Sequence, residues 1–350
     1  MRISKLSRSS RGSFLTYGFV IAVYIILQTM ARGGNLSASV KGMLVPICAY
    51  VVMAVSLNLV VGISGELSLG HAGFMSVGAF TGVTAAMALQ NVVSSGSLRL
   101  LIGMLVGAFF AAVAGVLVGI PVLRLKGDYL AIVTLAFGEI IKSIVTNLYV
   151  GVDSRGLHVS LLTNKLAMDE GGKIIINGPM GITTIEKLST LTAGFLLVMI
   201  TLVIVFNLIN SRTGRAIMAI RDNRIAAESV GVNITKYRMI AFASSAAMAG
   251  AAGTLFAMNY STIIASKFDF NTSILVLVFV VFGGLGNMFG SIVAAAALTI
   301  LPEALRGFAT YRMLIYAIVL ILLMLATNSE TLKGLIARII PRKKEGAEDA

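Results

Sequence analysis

The sequence predicts an all-α, polytopic membrane protein of about ten transmembrane segments, with helices broken by glycine in each half. Three observations lead to this fold class. Of the 350 residues, 57% are hydrophobic and only 12% are charged, about half the charged share of an average soluble domain. The mean hydropathy is +0.93. Long apolar runs recur along the chain, and one helical span needs about 20 such residues.

The apolar runs predict where the spans lie. The first run follows a basic N-terminus, as in a signal peptide, but no small-residue cleavage site closes it and many runs follow, so we interpret it as a retained helix. A basic arm (1–13), a transmembrane domain (14–327) and a basic tail (328–350) are therefore predicted. The runs fall near 14–30, 43–62, 68–89, 100–123, 129–149, 189–210, 239–260, 272–285, 288–301 and 311–327.

Loop charge predicts the orientation. A net charge of +13 would suggest a nucleic-acid partner in a soluble protein, but here Lys and Arg are expected to hold cytoplasmic loops in place, and no nucleic acid is predicted. The N-terminal arm should lie in the cytoplasm, which puts 212–238 inside and the loop 150–188 outside. Treating 272–301 as two segments also returns the basic tail to the cytoplasm. The predicted location is the cytoplasmic membrane of a prokaryote, with both termini inside.

Glycines interrupt one hydrophobic stretch in each half. They lie in LVVGISGELSLGHAGFMSVGAFTG (59–82) and in FGGLGNMFG (282–290). Such a pair indicates inverted repeats whose broken helices lie near a transport pathway, although glycine also serves close helix packing. The sequence leaves both open for Gly62, Gly65, Gly70 and Gly73 and for Gly283, Gly284, Gly286 and Gly290. For Gly103, Gly107, Gly115 and Gly119 packing is the preferred interpretation.

The sequence contains no recognisable enzymatic motif. Around AMDEGGKI, a phosphate-binding loop would need Gly at 167 and Ser or Thr at 174, but the chain has Ala167 and Ile174. The two histidines, His71 and His158, lie on different predicted elements, which argues against a metal site. The single cysteine, Cys48, excludes a disulfide within the chain. No catalytic residue, metal or cofactor is therefore predicted.

Ionisable residues at membrane depth are few. Glu139 and Lys142 are spaced i, i+3, so they can pair on one helix face, either as a pathway or proton site or as a structural ion pair. Glu66 and His71 flank the first glycine break and could form a gate or lie at the interface. Asp269 is expected at the outer surface. A secondary transporter coupled to ions would use Glu139, Lys142 or Asp269 to carry protons or ions.

The segment 212–238 is a polar stretch between apolar runs, with six Lys or Arg and two acids. We expect a short amphipathic helix from Gly214 to Arg221, an N-cap at Asp222 or Asn223, a helix from Arg224 to Val230 and a stop at Gly231. Asn233 and Thr235 can cap the next span. A face carrying Ala226, Ala227 and Val230 suits a groove in a partner, whereas a basic loop that only sets topology is the alternative.

Four stretches resemble the permease family of branched-chain amino-acid ABC importers, the LivM type. They cover most of the chain from about residue 50 to 305. They are SLNLVVGISGELSLGHAGFMSVGAFTG, RLKGDYLAIVTLAFGEII, TGRAIMAIRDNRIAAESVGVNITKYRMIAFASSAAMAGAAGTL and LVLVFVVFGGLGNMFGSIVAAAALTILPEAL.

The resemblance implies a pore subunit without its own ATPase site. It implies a second, related permease, two ATP-binding subunits that supply the ATP chemistry, and an extracytoplasmic solute-binding protein. The segment 212–238 would couple to the ATPases through Arg215, Arg221, Asn223, Ala226, Ala227, Glu228 and Gly231. The pathway would pass near the broken helices, with Glu66, Ser68, Gly70, His71, Glu139, Gly283, Gly284 and Gly286 as candidates.

The external loop departs from the family pattern. After the fifth span the family commonly has a Thr-Gly-Gly turn leading to Asn-Gly, whereas this chain has GVDSRGLHVSLLTNK. Because that surface would meet the binding protein, the expected substrates, leucine, isoleucine and valine, compete with urea or short amides. An ion-coupled secondary transporter is the rival function. An enzyme embedded in the membrane lacks a visible catalytic group.

Overall fold

The computed structural model describes residues 8–33, 37–90, 92–125, 127–153, 156–161 and 172–305, with the single positions 314, 317, 318 and 321. The helices of this part are α1 (Arg8–Arg32), α2 (Ala38–Asn58), α3 (His71–Ala88), α4 (Gly96–Val122), α5 (Asp128–Thr146), α6 (Leu191–Asn210), α7 (Arg212–Asp222), α8 (Arg224–Ser229), α9 (Ile234–Ala257), α10 (Phe270–Gly283) and α11 (Met288–Ala304). The strands are β1 (Leu148–Asp153), β2 (Gly156–Leu161) and β3 (Lys173–Asn177).

Each apolar run up to residue 301 contains a helix. Six helical stretches of the described residues are long and apolar enough to cross a membrane: Ser13–Arg32, Ser39–Ile63, Gly96–Val122, Asp128–Thr146, Leu191–Asn210 and Ile234–Ala257. Two shorter apolar helices, Phe270–Gly283 and Met288–Ala304, follow. The predicted span 311–327, apart from four single positions, and the tail 328–350 lie outside the described residues. The total of about ten segments stays a prediction.

A small β-sheet makes the all-α prediction wrong in the loop 150–188. The three antiparallel strands have the order β2-β1-β3, and β1 pairs with both neighbours. β1 and β3 contain runs of Val and Ile, which favour a pleated strand because their branched side chains pack well on its faces. The predicted span 129–149 therefore ends early, since α5 stops at Thr146 and β1 begins two residues later.

Short polar side chains fix where several helices begin. The side chains of Ser37, Thr190, Ser211 and Asp269 each accept a hydrogen bond from a backbone N–H in the first turn of α2, α6, α7 and α10. The first N–H groups of a helix have no partner within the helix, so such a cap supplies one.

Helices α3, α4 and α9 form the most closely packed part of the fold, and glycine makes the packing possible. A Cβ atom on Gly250 would lie 2.3 Å from Cβ of Ala111 and 2.5 Å from the carbonyl oxygen of Gly107. The hydroxyl of Thr254 donates to the carbonyl of Gly78 across the α3–α9 contact at 2.8 Å. The expectation that the glycines of α4 serve close packing is confirmed, because a Cβ at Gly103, Gly107, Gly115 or Gly119 would lie within 2.9 Å of α3 or α9.

An ion pair ties the segment before α6 to α4. The guanidinium of Arg99 donates to both carboxylate oxygens of Glu186, at 2.9 and 3.2 Å. Two-pronged Arg–carboxylate pairs are among the stronger polar contacts. The same segment pairs through Ile182 with the backbone of Ile263, after α9. The β-sheet region is thereby fixed to the ends of two helices of the bundle.

We predict that Gly250→Ala destabilises the fold although alanine favours helix. The added methyl group collides with Ala111 and with the backbone of Gly107, and overpacking of this kind costs about 1–3 kcal/mol. The midpoint of thermal unfolding in detergent should therefore fall. Gly18→Ala in α1 is the matched control, because nothing lies within 4 Å of that position. Equal midpoints for the two variants would contradict the packing argument.

Candidate functional site

The first glycine break follows α2 and changes the path of the backbone. The helix continues as one π-helical turn, Leu59–Ile63, and residues 64–70 then run without regular structure to α3. Gly65 has φ +75°, which a side chain would strain. π-turns within helices often occur at functional sites. The broken helix predicted near 59–82 is thus present, with its break at 59–70.

The second glycine break joins α10 to α11 by a tight turn. Gly284 and Gly286 have φ of +92° and +81°. A Cβ on Gly283 would lie 2.3 Å from the backbone nitrogen of Ser291, so the two helices touch through their backbones. The glycine cluster of 282–290 therefore serves both a turn and a close contact.

The two breaks meet each other, and Asn58 joins them. Its side-chain oxygen accepts from the backbone N–H of Gly286 at 2.8 Å, and its amide donates to the hydroxyl of Ser291 at 2.8 Å and to the carbonyl of Asn287 at 3.2 Å. Asn58 is completely buried. A Cβ on Gly62 would lie 2.2 Å from the nitrogen of Gly286. Glycine at both breaks thus allows the two backbones to touch.

The polar segment 212–238 reaches this meeting point through Arg221. The guanidinium of Arg221 donates to the carbonyl of Gly62 at 3.0 Å and also binds the carboxylate of Asp222. Its aliphatic stem lies over Gly65, where an added Cβ would come within 2.6 Å of it. The carbonyl of Gly62 sits in the π-turn, so Arg221 supplies a donor to backbone at the break. The last turn of α7 is therefore attached to the first break.

A second contact links the same two regions. Glu66, between α2 and α3, forms an ion pair with Arg238 near the start of α9, with 2.5 Å between Oε1 and Nε. Both side chains are largely buried. Burial raises the pKa of Glu66 to about 7, and the charges of Arg238 and Arg224 oppose that rise. Because burial removes water from the carboxylate of Glu66, its charged form depends on the nearby charges of Arg238 and Arg224.

A polar cavity of about 320 Å³ opens beside this ion pair. Glu66, Asp128, Arg224 and Arg238 supply its charged lining, together with Gly65, Leu67, Leu125, Gly127 and Leu130. It lies between the first break, the start of α5 and the segment 212–238. Glu66, a predicted pathway residue, thus lines a charged cavity.

The remaining pathway candidates lie in three places. Ser68 and His71 are buried, and Nε2 of His71 lies 2.9 Å from the hydroxyl of Ser56 within the packed interior. Gly70 packs against α5, since an added Cβ would lie 2.0 Å from the carbonyl of Thr134. Glu139 lies on α5 and pairs with Lys142, as the spacing predicts. Gly283, Gly284 and Gly286 form the second break.

The segment 212–238 folds largely as its sequence predicts. It forms α7 and α8. Asn223 caps α8, Asn233 caps α9, and Gly231 has φ +81°. Asp222 and Thr235 are not caps, because Asp222 pairs with Arg221 and Thr235 lies inside α9.

The prediction that Ala227 shares an outward face with Ala226 and Val230 is wrong. Ala227 is buried with Ile220 and Ile234 in a small core. Ile225 and Val230 are instead 81% and 77% exposed, and Ala226 and Glu228 are exposed beside them. The core that includes Ala227 holds α8 against α7 and α9, which leaves the other side of α8 free to present apolar side chains.

Sequence reasoning missed Asn58, Ser291 and Arg238. An asparagine inside an apolar run was a signal, because a buried amide needs several partners, but the sequence could not show that these partners lie more than 200 positions away. Within the described residues, no group of three or more His, Cys, Asp or Glu side chains could hold a metal ion.

The chain is similar to known transport proteins over most of its length. Residues 39–327 match the family model described as the permease component of branched-chain amino acid transport systems. The chain belongs to this family. The match and the six long apolar helices make it a multi-pass membrane protein.

Individual relatives refine this result. The chain is 35% identical over 286 residues to the high-affinity branched-chain amino acid transport system permease protein LivM of Salmonella typhimurium and to that of Escherichia coli, which is 79% of this chain and 66% of each relative. The chain thus spans somewhat under two thirds of those relatives. It is 24% identical over 269 residues to the fructose import permease protein FruG of Bifidobacterium longum, 74% of this chain and 72% of that protein. No solved structure matches it significantly.

We predict that Asn58→Leu weakens the junction between the two breaks. Leucine keeps roughly the volume but leaves the N–H of Gly286 without its partner, and an unsatisfied buried group costs about 1–3 kcal/mol. The midpoint of thermal unfolding in detergent should fall. Asn207→Leu, on an exposed position of α6, is the control and should leave the midpoint nearly unchanged. An unchanged midpoint for Asn58→Leu would show that the amide does not hold the breaks together.

Proposed function

We propose that the chain is the membrane-spanning permease subunit of an ABC importer that translocates branched-chain amino acids. A solute-binding protein delivers the substrate, a second permease completes the pore, and two separate ATPase subunits bind the ATP. The contact of Arg221 with the carbonyl of Gly62 is the observation that carries the proposal. It connects a polar segment of the type that couples to ATPases with a broken helix of the type that lines a pathway.

The proposed orientation puts the segment 212–238 and both termini in the cytoplasm. It follows from the basic arm, from the basic residues of this segment and from the tendency of Lys and Arg to remain inside. The β-sheet region then faces outward, where a binding protein would dock. The membrane is the cytoplasmic membrane of a prokaryote, since the LivM relatives are bacterial proteins.

Helix α8 is proposed as the contact with the ATPase. Ile225 and Val230 are 81% and 77% exposed, with Glu228 between them in sequence. Two large apolar side chains on a short, capped helix fit the groove of a partner. Arg215, Asn223 and Gly231 would shape the helix and its approach, while Ala227 would hold it in place from within.

Closure of the ATPases would then move the pathway. A displacement of α8 is transmitted to α7 through Ile220 and Ala227, which share one core. It reaches the first break through Arg221 and through Glu66 with Arg238. Asn58 passes it to the second break. Two broken helices that meet at one point can change together between outward-facing and inward-facing states.

The substrate rests on the LivM relatives, whose identity to the chain is 35%. The fructose import permease, at 24%, belongs to a system for a different solute, so transport of urea or short amides stays the second candidate. The departure of the external loop from the family pattern concerns the surface that would meet the binding protein, so it bears on which substrate is delivered. An ion-coupled secondary transporter would leave the exposed apolar side of α8 without a use.

We predict that Val230→Glu prevents assembly with the ATPase subunits. A carboxylate at the centre of an apolar contact must be desolvated, which costs several kcal/mol when it is unpaired. Copurification of the ATPases with the permease should be lost, and uptake of leucine with it. Val92→Glu is a matched control, because Val92 is also 77% exposed but lies between α3 and α4. Normal copurification of Val230→Glu would contradict α8 as the docking helix.

We predict that Arg221→Leu uncouples ATP hydrolysis from transport. The variant leaves the carbonyl of Gly62 without its charged donor while the apolar side of α8 is kept. Leucine transport by the reconstituted complex should fall at least about tenfold, whereas hydrolysis of ATP persists. Arg212→Leu, at an exposed position of the same helix, should transport normally. Transport by Arg221→Leu at the rate of the unaltered protein would exclude this route of coupling.

A further inference from the structure

Helix α5 has two faces with clear roles. Leu130, Ala131, Thr134 and Val145 are buried on one face, and Gly138 contacts Gly70 at the first break. On the opposite side of the helix, four large side chains are each at least half exposed: Tyr129, Ile132, Ile140 and Ile144. Spaced by three, eight and four positions, they fall on one side of the helix and make an apolar stripe, which suits the hydrocarbon of the bilayer.

A third, polar face of α5 carries charged residues in its first turn and in its C-terminal half, with Leu135 between them. At 100° per residue, Asp128, Glu139, Lys142 and Thr146 fall together between the packed face and the apolar stripe. Glu139 and Lys142 contact each other, with 43% and 28% of their side chains exposed. Within the described residues they form an ion pair only with each other. Lys142 also interacts electrostatically with Asp269.

The depth of this pair excludes a lipid-facing position. Glu139 lies about 16 Å from the start of the helix at 1.5 Å per residue, well inside a hydrocarbon layer of about 30 Å. Charged side chains at that depth face a protein neighbour or a watery cavity, because hydrocarbon cannot solvate them. The polar face of α5 thus marks the side on which the second permease and the pathway between the two subunits lie.

The surroundings of the pair connect it to the breaks. Glu139, Leu69, Gly73, Asp269 and Ser273 pack closely between the first break and the start of α10, with no space for a water molecule among them. The carboxylate of Asp269 is already occupied by the N–H of Thr272 and by Asn271. At the other end of the same face, Asp128 lines the charged cavity of about 320 Å³ beside Glu66. Glu139 therefore lies on the same side of α5 as the charged cavity, about 16 Å farther along the helix.

We propose that Glu139 and Lys142 bind the charged head group of the transported amino acid, an inference that rests on the proposed function. An amino acid carries one ammonium and one carboxylate, and its aliphatic side chain needs no charged partner. Glu139 would accept the ammonium and Lys142 the carboxylate, so one internal ion pair is exchanged for two intermolecular pairs without a change in net charge. Urea and short amides lack both charges, so the same pair disfavours the second candidate substrate.

The test uses the complete complex in proteoliposomes, with saturating leucine-loaded binding protein. Glu139→Gln and Lys142→Gln should each lower leucine transport at least about tenfold. ATP hydrolysis stimulated by the loaded binding protein should stay within about twofold, because the coupling contacts are intact. The double exchange Glu139→Lys with Lys142→Glu restores an ion pair but reverses its order, and it should not restore transport. Lys187→Gln, at an exposed position before α6, is the control and should transport normally.

Three results distinguish a failure of the proposed function from a failure of the head-group site. If the unaltered complex does not transport leucine, the proposed function itself fails. If it does, and either single variant transports equally well, only the head-group site is overturned. Full transport by the double exchange would also overturn it, because it would show a pair that serves structure alone.

A second measurement uses the unaltered protein, so it tests the site even if the variants do not assemble. Leucine should slow reductive methylation of Lys142 relative to that of the exposed Lys187 in the same sample, followed by mass spectrometry, because free leucine also consumes reagent. The 2-oxo acid of leucine, which lacks the ammonium, should protect Lys142 much less on the same scale. Protection of Lys142 by leucine supports the site. Equal modification with and without saturating leucine overturns it.

Discussion

Backbone groups set free at a broken helix must find partners, and this need governs the centre of the molecule. Water is absent from the bilayer core, so an unpaired N–H or C=O there costs several kcal/mol. In this chain the two breaks lie together, and side chains supply the missing partners. Asn58 accepts from the N–H of Gly286 and donates to the carbonyl of Asn287, and Arg221 donates to the carbonyl of Gly62. Glycine at 62 and 286 lets the backbones approach closely enough for these bonds.

That arrangement also explains why the polar segment belongs to the mechanism. Arg221 is the last basic residue of α7, and its bond to Gly62 is a bond to backbone inside the membrane-spanning part. Glu66 and Arg238 repeat the connection a short distance away. A basic loop that only set topology would need neither contact. A charged cavity of about 320 Å³ opens beside them.

Much of the local structure could be predicted because it depends on neighbours in sequence. A glycine with positive φ at 231, an asparagine cap at 223 and the i, i+3 pair of Glu139 with Lys142 all follow from such short-range rules. The small-residue contacts of α4 followed from glycine spacing. Ala227 was misplaced because a helix of six residues has no periodicity long enough to tell its buried side from its exposed one. The β-sheet was missed because the predicted external loop received no strand assignment.

The sequence by itself determined a membrane protein with two glycine breaks, a capped polar segment and the family to which it belongs. Composition, spacing and caps depend on residues close together in the chain, so these features can be predicted from the sequence alone. Only the tertiary structure decided that the breaks meet at Asn58, that Arg221 reaches Gly62 and that Glu139 packs near Asp269 at the start of α10. Those contacts join residues separated by up to 233 positions, and their partners are chosen by helix packing, which no local pattern encodes.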